Sequence, residues 1–295
     1  MRDSSALAPP GSGPADGPAA TPAGGPASGL RADVHAGRVA LVTGGGTGIG
    51  RATALDLAAA GASVAICGRR PEPLEEVRNQ IEKSGGRCLV LVADIREEDQ
   101  VGEVVRQTLD AFGRIDVLVN NAGGQFAAPA EEITPKGWRA VHRLAVDATW
   151  AMTREVANRA MIPQRSGSVF FLAFSPRRGI PGMVHASAAR AAVENLAAGL
   201  ALEWSRYGIR SVCVAPGTIA TEGLDSNYTD EDRARWAQAV PLGYLGSAQD
   251  VAGVISFLAS PAGRYVTGTT VVVDGGVDAW GAGHPVPDLL PEVER

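Results

Sequence analysis

The sequence predicts a single doubly wound α/β domain, with a seven-stranded parallel sheet and helices on both faces. Two observations predict it. Between residues 37 and 280, seven short apolar runs alternate with longer stretches of helical period, the mark of repeated strand–helix units. Directly after the first run the chain turns glycine-rich and then helical, as at a ligand-binding strand end. The 295 residues, 45% of them apolar, suit one large domain with a sizeable core.

The elements follow in order. Strands are expected at 39–42, 63–67, 88–93, 117–120, 168–173, 210–215 and 270–274. Each is a short, nearly continuous apolar run, as a strand buried on both faces requires, and the closing Val271-Val272-Val273 reads the same way. Helices are expected at 48–60, 72–84, 98–112, 137–161, 186–207 and 250–260. Ahead of the domain, residues 1–36 are rich in Ala, Pro, Gly and Ser, and six prolines between Pro9 and Pro26 forbid a helix. That segment is expected to be disordered, and residues 281–295 to form a C-terminal tail.

Charge and cysteine content exclude several functions. With 27 basic and 32 acidic residues, a net charge near −5 offers no electrostatic basis for binding nucleic acid or an anionic membrane. No apolar run approaches the ~20 residues that span a bilayer. Cys67, Cys88 and Cys213 lie far apart in strand-like runs without histidine neighbours, which argues for buried free thiols in a reducing, cytoplasmic setting and against a metal site. Lys83 and Lys136 are the only lysines.

The cofactor signal is the run Thr43-Gly44-Gly45-Gly46-Thr47-Gly48-Ile49-Gly50. Its glycines let the backbone approach a pyrophosphate, and the helix that follows presents unpaired N–H groups and a positive dipole end. The second strand ends Gly68-Arg69-Arg70 where an NAD site would carry a carboxylate for the ribose 2′-hydroxyl. Two guanidiniums there suit a 2′-phosphate instead, so the expected cofactor is NADPH. Asp94 and Ile95, Asn121, Ala122 and Gly123, and Pro216, Gly217, Thr218, Ile219 and Thr221 lie at further strand ends and complete the expected cofactor site.

These motifs, with the Val273-Asp274-Gly275-Gly276 ending, resemble the short-chain dehydrogenase/reductase superfamily over about residues 36–280, which implies a Rossmann-like fold. The stretches VNNAGGQFAAPAEEITPKGW (119–138) and VHASAARAAVENLAAGLALEW (184–204) are most similar to the peroxisomal trans-2-enoyl-CoA reductase branch, with the 2,4-dienoyl-CoA reductases close by. Those enzymes reduce a conjugated C=C of an acyl thioester with NADPH. The resemblance also implies a homodimer or homotetramer. It places the superfamily's catalytic Asn, Tyr and Lys positions at Ala145, Ala186 and Arg190, and the Ser position at Phe174 or Ser175. Arg190 remains able to bind ribose hydroxyls but not to act as a proton reservoir.

Ser175 lies past the fifth strand, where its hydroxyl could meet substrate. His185 opens the helix that normally carries the Tyr, and Tyr228 falls in the segment where the superfamily has its substrate lid. These three are the candidate catalytic residues. Phe126 is a candidate pocket wall, and Glu194 is expected to be a solvated helix carboxylate. Without a proton donor, hydride needs an already electrophilic carbon. An iminium derived from a hemiaminal or imine and the conjugated C=C of an enoyl thioester both meet that condition. The alternatives are a non-redox cyclase or isomerase that keeps NADP bound, and a non-catalytic NADPH-binding subunit.

Overall fold

The computed structural model describes residues 29–175, 177, 179–221 and 229–280. Seven strands form one parallel sheet: β1 (Val39–Thr43), β2 (Ser63–Gly68), β3 (Arg87–Val92), β4 (Val117–Asn120), β5 (Gly167–Leu172), β6 (Ile209–Pro216) and β7 (Thr270–Val273). Their order is β3-β2-β1-β4-β5-β6-β7. The winding therefore reverses between β1 and β4, and ligands of open α/β sheets bind at the carboxyl ends beside such a reversal.

The helices are α1 (Gly48–Ala59), α2 (Pro71–Lys83), α3 (Glu98–Phe112), α4 (a continuous run, 135–164), α5 (Val184–Trp204), α6 (Asp230–Gln238) and α7 (Ala248–Ala259). Within α4, two wider π turns, Arg143–Asp147 and Ala157–Met161, interrupt the α-helical geometry. Strand parity assigns each side chain to a layer. Ala40, Val42, Phe170 and Leu172 pack with α1, α2 and α7 residues such as Leu57, Val77 and Ile255. Leu41, Val169 and Phe171 pack on the opposite face with Val105, Met152 and Val193 of α3, α4 and α5.

Four expectations change. Among the described residues β7 pairs with β6 alone and is half-buried throughout, so its continuous valine run lies at the sheet edge and is not covered on both faces as expected. Cys67 and Cys213 are buried free thiols, but Cys88, on edge strand β3, is only partly covered. Burial pushes all three thiols up to about 12. Residues 32–37 form a turn that packs on the domain, which moves the domain boundary toward residue 31. His35 is buried there, its backbone N–H donating to the Ala60 carbonyl and its ring meeting Ser256 at 3.2 Å. Helix α6 adds an element that apolar periodicity does not announce. Thr229 and Asp232 cap it reciprocally, a T-x-x-D signal that was available.

Candidate active site

The glycine run and the loop after β4 form one rim at the carboxyl ends of β1 and β4. Gly44 has φ +64°, and a Cβ on Gly50 would overlap the Gly44 carbonyl oxygen, so both positions require glycine. Thr43 Oγ1 accepts from the backbone N–H groups of Asn121 and Ala122, each at 3.0 Å. Asn121 Nδ2 donates back to the Thr43 and Gly44 carbonyls at 2.9 and 3.2 Å. Asn121 and Thr43 thus hold the rim together, and motifs in the sequence do not by themselves single out Thr43 for this.

Beneath this rim lies a cavity of about 400 Å³. Gly44, Thr47, Gly48 and Ile49 line one wall, and Asn121, Ala122, Gly123 and Thr221 the inner end. Thr47, the N-cap of α1, makes no side-chain capping bond, and the first turn of α1 has no acidic residue. That helix start fits an anionic group such as a pyrophosphate.

The outer end of the cavity is basic. Arg69 and Arg70 line it, are exposed, and have no hydrogen-bond or ion-pair partner among the described residues. A Cβ on Gly68 would meet only the Leu74 side chain, at 3.7–4.0 Å, so the fold itself does not demand glycine there. Asp94 and Ile95 also line the cavity. The Arg96 fork holds the Asp94 carboxyl at about 2, with a smaller contribution from Arg69, so it is ionised and already engaged. Lining by Cys67, Pro73, Leu74, Ala93 and Leu144 was not anticipated, because these side chains reach the cavity only through the β2–α2 turn, the end of β3 and the α4 crossing.

Other expected cofactor residues sit behind the lining. Pro216 ends β6 and accepts from the Ser175 N–H at 2.8 Å; Gly217 packs on Asp274. Thr218 accepts from the Gly246 N–H at 3.2 Å, and Ile219 pairs with Gly246 in a two-residue ladder. Together they position Thr221.

Beyond Gly123 the site becomes apolar. Val141, Ala145, Ala186 and Ala189 form one buried cluster, with Phe174 packed against it. The positions that resemblance gives to Asn and Tyr therefore touch each other's cluster rather than a proton path. Arg190 is 9% exposed; its Nη1 donates to the Leu172 carbonyl at 2.6 Å, and its guanidinium lies 5.1 Å over the Phe174 ring. Burial lowers it to about 10, still charged at neutral pH. Ser175 is buried and donates its hydroxyl to Asp274, which also accepts from the Gly276 and Asp278 N–H groups. Arg177 ties this loop to Asp278 at 3.1 Å and Glu194 at 3.7 Å. Glu194 also accepts from Thr270, so it is a tether rather than a solvated carboxylate.

His185 is fully buried, and neither ring nitrogen has a hydrogen-bond partner among the described residues. Burial, then the neighbouring His142, pushes its pKa down. The Phe126 ring covers it, with centroids 4.3 Å apart. Tyr228 lies outside the described residues. Lys83 lies at a separate cavity near the amino ends of the strands, away from this chemistry. Among the described residues, no three His, Cys, Asp or Glu side chains gather as a metal site, and no helix is long and apolar enough to cross a membrane.

A parallel sheet reversing at β1/β4, with a glycine-lined nucleotide cavity, defines a nicotinamide-dependent oxidoreductase class. The chain belongs to the short-chain dehydrogenase/reductase family: the model described as enoyl-(acyl carrier protein) reductase matches residues 44–278. A probable 2,4-dienoyl-CoA reductase of Bacillus subtilis is 35% identical, covering 81% of this chain and 96% of that protein. The peroxisomal 2,4-dienoyl-CoA reductase of Arabidopsis thaliana is also 35% identical, covering 84% and 87%. Among solved structures, a putative NAD(P)-dependent gluconate 5-dehydrogenase from Beutenbergia cavernae, with bound NADP, matches with TM-score 0.78 and 36% identity over 86% of this chain and all of that one. The citronellol catabolism dehydrogenase of Pseudomonas aeruginosa matches with TM-score 0.76 and 38% identity, covering 84% and 98%.

Proposed function

We propose that this protein is an NADPH-dependent reductase of a conjugated C=C in an acyl thioester, working without a side-chain proton relay. The observation that carries the reading is the buried cluster of Ala145 and Ala186 with Phe174 against it: an apolar surface stands where a ketone reductase needs donors. Bound NADPH would supply the hydride. Arg69 and Arg70 would hold its 2′-phosphate and the start of α1 its pyrophosphate, while Arg190, buried behind Gly123, would act on its inner end through charge rather than by direct contact with the ribose. The β-carbon would accept that hydride while the electron pair is taken up at the thioester oxygen as an enolate. Water would then protonate the α-carbon, with solvent taking up the resulting hydroxide.

Two further points support an enoyl over an iminium substrate. The 2,4-dienoyl-CoA reductases among the relatives carry such chemistry in their names. Arg190 is a buried cation without a counter-charge among the described residues, which disfavours a cationic substrate and favours a developing enolate. Trp150 on α4 and Leu202 on α5 leave apolar surface exposed, which supports pairing with further copies of the chain.

The test is NADPH oxidation with a panel of enoyl thioesters, cyclic imines and simple ketones. Turnover of enoyl thioesters alone is expected. Rapid ketone reduction would overturn the reading. NADPH binding without turnover of any compound would favour a non-redox or non-catalytic role.

A further inference from the structure

We propose that Arg190 makes this site select the reduced form of its nicotinamide cofactor, so that NADPH binds at least about tenfold more tightly than NADP⁺. The inference rests on the NADPH reading above and concerns a property that reading does not require. It starts from an imbalance of charge. The Arg190 guanidinium is 9% exposed and has no carboxylate within ion-pairing distance among the described residues. Among the described residues it meets a carbonyl oxygen, that of Leu172, and the face of Phe174. The carboxylates of Glu194, on the same helix, and of Asp274 are committed elsewhere: Glu194 to Thr270 and Arg177, and Asp274 to Ser175. Ala145, Ala186 and Ala189 surround the same crossing of α4 and α5, and none of them carries charge.

The position of this charge matters as much as its burial. A Cβ on Gly123 would overlap an Arg190 nitrogen, and Gly123 lines the inner end of the cavity. A single glycine backbone therefore separates a fixed positive charge from the space the cofactor's inner end would fill. The nicotinamide ring is neutral in NADPH and carries a unit positive charge in NADP⁺. Everything else about the two molecules, including the phosphates, is the same. Repulsion between like unit charges across one wall of low polarity corresponds to about a tenfold or larger loss of affinity for the oxidised form. Such a site releases its spent cofactor readily and runs in the reducing direction.

The experiment titrates the full-length protein with NADPH by fluorescence, and with NADP⁺ by competition, for the unmutated chain, Arg190→Lys and Arg190→Met. Each variant supplies its own ratio of dissociation constants, so a general loss of folded protein lowers both affinities and cancels. Met keeps an apolar stem and removes an uncompensated buried charge, so its fold should persist, with the melting curve as a check. The expected ratio of NADP⁺ to NADPH dissociation constants is about ten or more in the unmutated protein and in Arg190→Lys. In Arg190→Met it should fall to within about threefold of unity. Equal affinities in the unmutated chain, or an unchanged ratio in Arg190→Met, would overturn the inference and leave the reductase reading standing. Binding of neither nucleotide would overturn both.

Discussion

Ala145 on α4 and Ala186 on α5 share one buried cluster, each about 2% exposed, at the crossing where the family resemblance places an Asn and a Tyr. Two methyl groups in one apolar cluster can neither hold a water chain nor donate a proton. The first prediction follows directly. Ala186→Tyr combined with Arg190→Lys forces a phenol into closed packing and should cost about 1–3 kcal/mol of stability. It should not speed reduction of an enoyl thioester, since no alkoxide is formed. Single-turnover hydride transfer and a melting curve check this; faster enoyl reduction would mean that proton donation limits the unmutated protein.

Arg69 and Arg70 flank the outer end of the cavity with no hydrogen-bond or ion-pair partner among the described residues. A charge-assisted contact to phosphate contributes roughly 1.5–3 kcal/mol, about 10–150-fold in affinity. Arg69→Ala should therefore erase most of the preference for NADPH over NADH while leaving NADH binding nearly intact. Calorimetric titration with both cofactors measures it. Equal affinities in the unmutated protein would remove the 2′-phosphate assignment.

His185 keeps both ring nitrogens unpartnered under the Phe126 ring. A buried unsatisfied polar group costs about 1–3 kcal/mol, and an apolar replacement of similar shape removes that cost. His185→Leu should raise the melting temperature and slow turnover by roughly 10- to 100-fold, the loss of one positioning bond to substrate. Higher stability with unchanged turnover would assign His185 to packing alone.

Ser175 spends its proton on Asp274. Ser175→Ala should lower stability by about 1.5–3 kcal/mol, as a charge-assisted bond is lost, and slow turnover by no more than about 100-fold. Complete loss of single-turnover hydride transfer in a folded variant would show that the hydroxyl acts on substrate.

Burial and the neighbouring Arg38 hold His35 at about 4, below its ordinary 6.5. The unfolded chain therefore binds this proton more readily than the folded one. Stability is full above about pH 6.5 and falls as pH drops toward 4, by roughly 3 kcal/mol if fully expressed. Denaturant titrations across that range should show a steeper decline for the unmutated protein than for His35→Gln. Parallel curves would exclude His35 as the source. Removing residues 1–28, in contrast, should leave the melting temperature unchanged, because that segment is poor in apolar side chains.

The doubly wound sheet and the nucleotide end of the site are legible in the sequence because each rests on local rules. Strand parity in Ala40–Val42, the glycines at 44 and 50, and the unpaired start of α1 all act within a few residues. Arg69 and Arg70 are readable for the same reason: they follow β2 directly and need no distant partner. The capping of α6 was equally local and simply went unread. What the sequence could not determine depends on pairing across long separations. The valine run of β7 is half-buried instead of covered on both faces, and His35 docks by polar bonds to Ser256, 221 residues away. Ser175 and Asp274 meet across 99 residues, which turns a candidate catalytic hydroxyl into one already bonded. Composition likewise shows an arginine at 190, but only the tertiary structure decides that it is buried, lacks a counter-charge and stands behind Gly123. A buried charge is defined by what surrounds it in space, and here β4, β5 and α5 supply those surroundings.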